Sequence, residues 1–200
     1  NALKENICPD SLALAFAIAK RTCQVLDGLT NVENLKSNLE ELSKNPILQQ
    51  LLNENTLLEK YESQKQKEFI AALGSKPETW WNAEIKQLYD QPRGVKVDVS
   101  KRLLGYISLS CYGYVNGALH QKDWNAAAYF TTIYRQVDPE NPDCWYAIAC
   151  LQANTGKPDD AVASLKSAIK FGLSDLSKIS SDPLLNSLRG VKVFDGLTKK

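Results

Sequence analysis

The sequence predicts an all-α protein: an α-solenoid-like array of antiparallel helical hairpins with an N-terminal helical cap. Three observations carry that expectation. Apolar residues recur three and four positions apart over most of the 200 residues, the spacing of one face of a helix. The alternation that marks a strand is confined to one short stretch, Val95-Lys96-Val97-Asp98-Val99. The C-terminal half also overlays on itself when shifted by 34 residues, a period that signals stacked helical pairs.

The first helix is expected to run from Pro9 to Leu26. Pro9 suits a first turn and Asp10 suits the positive end of the helix dipole. Leu12, Ala15, Phe16, Ala19, Cys23 and Leu26 form one stripe, and Leu14, Ile18 and Val25 widen it, so the helix reads as largely buried. Gly28 ends it. Asn31 is a good cap for a second helix over residues 32–43, with Val32, Leu35, Leu39 and Leu42 inward. Pro46 opens a short helix over residues 46–52, and a longer one comes after it over residues 55–73, closed by Gly74. Pro77 starts another, with Trp80, Trp81, Ile85, Leu88 and Tyr89 as its apolar residues. Gln91-Pro92-Arg93-Gly94 breaks the pattern. The alternating stretch after it is too short and isolated for a sheet, so it reads as an extended linker. That places a boundary at residue 96, with a helical capping region over residues 1–96.

From residue 97 the repeat takes over. Asp123-Trp124 opens Asn125-Ala126-Ala127-Ala128-Tyr129 and leads to Tyr134, Asp138, Pro139 and Asn141. One period later Lys157-Pro158 opens Asp159-Asp160-Ala161-Val162-Ala163 and leads through Leu165 and Ala168 to Phe171-Gly172. This pattern resembles the tetratricopeptide repeat, a family of 34-residue antiparallel helix pairs. Trp145, Ile148, Ala149, Gly156, Ala161, Leu165 and Ala168 match the family's alternation of large and small positions in the second unit. In the first, Ala127 and Pro139 fit, while Cys111, Tyr114, Val115, Lys122 and Tyr134 depart from the usual types. The resemblance implies two hairpins over residues 97–172, with small residues that let backbones approach and large ones that fill between layers. Each hairpin leaves an apolar face open, so an array needs caps. Residues 173–200 read as the C-terminal one: a broken helical stretch over 174–179, then Asp182-Pro183-Leu184-Leu185-Asn186-Ser187-Leu188, then Val191, Val193, Phe194 and Leu197 as anchors. With Phe171-Gly172 and Asp175, this ending more narrowly resembles secreted or lipid-anchored repeat proteins of the Bacteroidetes type.

Composition narrows the function. Net charge is +1 and no run is strongly basic, which argues against nucleic acid as a partner and against an anionic membrane surface. The longest apolar run, Leu12 to Ala19, is far short of the roughly 20 residues of a membrane-spanning helix. Glu5 and Asp10 precede it where a signal peptide carries positive charge, so a buried helix is the better reading. The chain starts at Asn1 without a methionine. If an upstream signal has been removed, the expected location is periplasmic or outer-membrane-associated.

Chemistry has little to stand on. Cys8, Cys23, Cys111, Cys144 and Cys150 show no metal-ligand spacing and read as small buried apolar residues; Cys8 with Cys23 is the candidate disulfide in an oxidising compartment. His120, the single histidine, stands nine residues from Cys111, about 13 Å along a helix and on a different face. The pairs Glu40-Glu41 and Asp159-Asp160 suit a solvated face and a helix N-terminus. No metal and no cofactor is expected. Gly105, Gly113 and Gly117 share one helix face and read as a groove for a close neighbouring helix.

The expected function is therefore non-enzymatic: docking of a protein or peptide partner. In the tetratricopeptide family the first helix of each hairpin lines the concave surface. Carried onto this chain, the resemblance points to Tyr112, Asn116 and Leu119 in the first unit and to Tyr146, Cys150 and Asn154 in the second. Two aromatic anchors beside two amides suit an extended peptide. With only two units, that groove can equally be filled by the protein itself. The family's basic carboxylate clamp has no counterpart here. Trp80 and Trp81 are a second candidate surface, for a glycan or protein, against burial in the core. An enzyme site between helices is the remaining alternative.

Overall fold

The computed structural model describes residues 9–91 and 95–197. Every named element among them is helical: α1 Pro9–Leu26, α2 Glu33–Ser43, α3 Pro46–Ala72, α4 Glu78–Tyr89, α5 Val95–Gln121, α6 Trp124–Val137, α7 Pro142–Asn154, α8 Pro158–Lys170, α9 Leu176–Ser181, a 3₁₀ segment Pro183–Leu188, and α10 Lys192–Leu197. None of the described helices is long and apolar enough to cross a membrane. The chain divides into two compact units, residues 1–63 and residues 64–200.

In the first unit α1 packs on α2 across a turn in which Gly28 takes φ +83°. α2 begins at Glu33, so Val32 and not Asn31 takes the cap position, with no side-chain cap; the Asn31 side chain, one residue earlier, accepts from the Glu33 amide at 3.0 Å. α1 is not largely buried. Ala13 and Cys23 are covered, but Leu14, Ile18 and Val25 are exposed. A helix that rests on one short neighbour can bury one stripe, and the widened stripe of α1 exceeds it. Cys8 lies outside the described residues, so the Cys8–Cys23 pairing does too. Cys23 pairs with no other cysteine among the described residues.

The two helices expected over residues 46–73 are one helix. No glycine or proline interrupts Asn53-Glu54-Asn55, and polar residues alone do not forbid helical backbone. The junction is tied on both sides: the Gln50 amide donates to Glu54 at 2.9 Å, and the Thr56 hydroxyl donates to the Leu52 carbonyl at 2.8 Å.

In the second unit the expected linker at residues 95–99 is also helix, the first turn of α5. An isolated extended stretch leaves its backbone groups without partners, whereas helix satisfies them internally. Val99, Leu103, Ile107, Cys111 and Val115 then continue one buried line at four-residue spacing.

α5 packs on α6, and α7 on α8, each pair joined by a tight turn that makes the two helices neighbours. The turns are built alike. Lys122 takes φ +58° and Gly156, 34 positions on, takes φ +76°. The Asp123 amide reaches the Ala118 carbonyl at 2.9 Å, and the Lys157 amide reaches the Gln152 carbonyl at 3.0 Å. Ala127 and Ala161 then occupy matching places in the first turns of α6 and α8, and both are fully buried. Ala149 and Ala168 are equally buried, packed with Phe130, Tyr146 and Leu165 in one core. Trp145 stacks on Phe171 at 6.2 Å and donates its indole N–H to the Pro139 carbonyl at 2.7 Å.

The ending joins the same core. Asp175 caps α9 and Asp182 caps the 3₁₀ segment. Ile179, Leu185, Leu188 and Phe194 are buried, while Val193, expected as an anchor, is exposed.

Candidate docking surface

The two halves of the expected groove have different fates. On α7, Tyr146 and Cys150 are buried. The Tyr146 hydroxyl donates to the Asp182 carboxylate at 2.6 Å, and the Lys178 ammonium lies 4.5 Å from the centre of its ring. Burial, and then the Asp182 carboxylate, hold that phenol far above its ordinary range. Asn154 keeps exposure but spends its amide on two carbonyls, Cys150 at 2.8 Å and Leu184 at 2.7 Å. The Ser187 hydroxyl adds a bond to the Ala153 carbonyl at 2.7 Å. The face of α7 that the sequence offers to a peptide is thus covered by the chain's own segment from α9 through the 3₁₀ turn. Tyr146 and Cys150 are core residues of that contact, not a surface for a partner.

On α5 the outcome is mixed. Leu119 is buried and so presents nothing. Asn116 is partly covered and donates back to the Tyr112 carbonyl of its own helix at 2.9 Å. Tyr112 stays open at 40% exposure, and beside it Leu109, which the spacing did not single out, is 71% exposed. Tyr114 is also open on one side and stacks on Phe130 at 5.0 Å. Gly105, Gly113 and Gly117 lie on the open side as well. A Cβ added to any of them meets nothing within 4 Å. The close neighbouring helix expected against these glycines is therefore not found.

The signal for this face was present in the sequence as an absence. From Leu103 to Leu119 there are seventeen residues without a charge, in a chain that is 24% charged. A solvated helix face ordinarily carries charge, so an exposed side that lacks it is the informative case.

Of the tryptophan pair, Trp81 belongs to the core. Trp81 is fully buried, and its indole N–H donates to the Tyr129 hydroxyl at 2.9 Å, which in turn donates to the Lys76 carbonyl at 2.6 Å. Trp80 packs edge-on against Trp81 at 5.0 Å and against Phe69 at 6.3 Å. Trp81 therefore offers no ring face to a sugar, while Trp80 is half-buried.

The buried ionisable groups are held in their neutral forms. Burial pushes the Cys111, Cys144 and Cys150 thiols up to about 12; the neighbouring Cys144, Asp138 and Asp182 add to it in turn. A thiol so placed is a poor nucleophile. Among the described residues no group of three or more His, Cys, Asp or Glu side chains is placed to hold a metal ion. The Asp138 carboxylate, which accepts from Ser108 at 2.9 Å and from Asn141 at 2.8 Å, is engaged in joining α5 to the α6–α7 turn.

No protein-family model matches the chain, and neither a curated protein nor a solved structure matches it.

Proposed function

We propose that the chain is a protein-interaction module of the tetratricopeptide kind, and that its docking surface is the open face of α5 around Leu109 and Tyr112. The observation that carries this reading is the uncharged interval of α5 with large apolar side chains in water. Single exposed leucines need no explanation, but a helix face that combines Leu109, Tyr112 and three glycines with no charge does. Two further facts favour it. The matched turns at Lys122 and Gly156 support the family resemblance. The α7 half of the groove is closed by the chain itself, which leaves α5 as the free half.

The other readings have less behind them. Burial of Trp81 removes half of the aromatic pair that a glycan would use. Thiols and phenols raised by burial are the inert forms, and they face packed neighbours.

The test is affinity capture from native cells, run in parallel with the wild type, Leu109→Asp and Tyr112→Ala. Both side chains are exposed, so both variants keep the helical circular dichroism of the wild type. A partner held through α5 is lost from both variants. A partner retained equally by all three proteins would refute the assignment.

A further inference from the structure

The first unit leaves more large apolar side chains in water than it covers. Among its described residues Ala13, Cys23, Val32 and Leu48 are the buried apolar ones. Eight larger ones are exposed, Leu14, Ile18, Val25 and Ile47 among them. The covered side of α1 runs through Cys23, and Leu14, Ile18 and Val25 lie on the opposite side of that helix. A helix that is apolar on two opposite sides needs two neighbours.

The open side of α1 is a seam with the 4-3-4 spacing of a coiled coil: Leu14, Ile18, Arg21 and Val25. α3 carries a second seam of the same spacing: Ile47, Leu51, Glu54 and Leu58. Ile47 and Glu54 are exposed, while Leu51 and Leu58 are half-buried. Each seam is apolar except at its third place, which holds a cation in α1 and a carboxylate in α3. Among the described residues Arg21 has no ion-pair partner, and Glu54 accepts from the Gln50 amide of its own helix but meets no cation.

We infer that these seams are complements, and that a second copy of this chain joins them, α1 of each copy lying parallel to α3 of the other. Parallel pairing sets like heptad places face to face. Leu14 then meets Ile47, Ile18 meets Leu51, Val25 meets Leu58, and Arg21 meets Glu54. Antiparallel pairing of the same seams sets Arg21 against Leu51 and Glu54 against Ile18, so that both charges face apolar carbon, the costly arrangement. The opposite charges therefore fix both direction and register. Within one chain the seams do not cover each other, because Leu14, Ile18 and Ile47 stand in water. Each copy owns one of each seam, so the contact forms twice about a two-fold axis and closes with none left over. Each contact line is about 17 Å long, some three helical turns. This pairing makes no use of the α5 face.

Sedimentation equilibrium of the full chain, up to about 100 μM, is expected to show a monomer–dimer equilibrium. Arg21 and Glu54 are both exposed, so charge reversal at either keeps the helical circular dichroism of the wild type. Arg21→Glu and Glu54→Arg, each alone, weaken the dimer at least roughly tenfold, since like charges then face each other in both contacts. The double variant Arg21→Glu with Glu54→Arg restores it. Leu109→Asp, on the α5 face, leaves it unchanged. A wild type that stays monomeric over that range overturns the pairing; the seams then close within one chain or on a different protein. A dimer that survives both single reversals, or that the double variant fails to restore, overturns it too. A dimer lost in Leu109→Asp places the contact on α5 and overturns the α1–α3 assignment.

Discussion

Lys122 is the residue at which the local rules are broken most plainly. Among the described residues it is the only non-glycine with positive φ, at +58°, and its counterpart in the second turn is Gly156. A side chain in the left-handed region costs about 1–2 kcal/mol, because its Cβ crowds the following carbonyl oxygen. Lys122→Gly therefore raises stability by about 1 kcal/mol, after the added flexibility of the unfolded chain is taken off. Urea denaturation followed by circular dichroism checks this; a loss of stability would mean that the lysine side chain contributes contacts that outweigh the strain. The sequence already marked Lys122 as a departure from the family pattern, and the backbone angle gives the departure its physical meaning. By contrast, Tyr146 and Cys150 were legible only as face residues. Spacing tells which side of a helix a residue takes. It does not tell whether a later segment of the chain will lie on that side, and here Asp182 and Leu184 do.

The elements show the same division. The starts of α6 and α8 were readable, because Asp123-Trp124 and Lys157-Pro158 punctuate the chain where those helices begin. The start of α5 was not. Val95, Val97 and Val99 suggest a strand by alternation, and the four-residue line from Val99 through Leu103 and Ile107 emerges only when the stretch is joined to the rest of its helix. The bounds of α1, Pro9–Leu26, were readable and its burial was not: its apolar stripe is real, but burial depends on how many neighbours a helix finds. The C-terminal segment, read from the sequence as a cap, is the element that depends most on its neighbours. Its pieces are six residues long and could not persist alone. They hold because Ile179, Leu185 and Leu188 enter the core of α7 and α8. Leu188→Ala is accordingly expected to cost about 2–5 kcal/mol, as a large-to-small change at a fully buried site. A change below about 1 kcal/mol in the same urea assay would show that the segment is a loose flap and not part of the core.

For the molecule as a whole, the three deep thiols of residues 64–200 set an alkaline limit. Each is pushed up from an ordinary 9.0 to about 12 in the fold. A raised folded value means that the native state keeps its proton where the unfolded chain has lost it. The stability this represents is complete below pH 9 and is lost as pH rises toward 12. Each thiol then costs about 1.4 kcal/mol per pH unit within that window. Tyr134 and Tyr146, raised in the same direction, extend the loss at its upper end. Chemical denaturation at pH 8 and pH 10 should differ by several kcal/mol, on the order of the three thiols together; equal midpoints would contradict it. The placement of the indoles decides how such a measurement must be read. Trp80, Trp81, Trp124 and Trp145 are all four of the tryptophans, and all belong to residues 64–200. Tryptophan emission therefore originates only in residues 64–200, while far-ultraviolet ellipticity registers both units. An optical mismatch between the two signals during one titration locates which part of the polypeptide has let go.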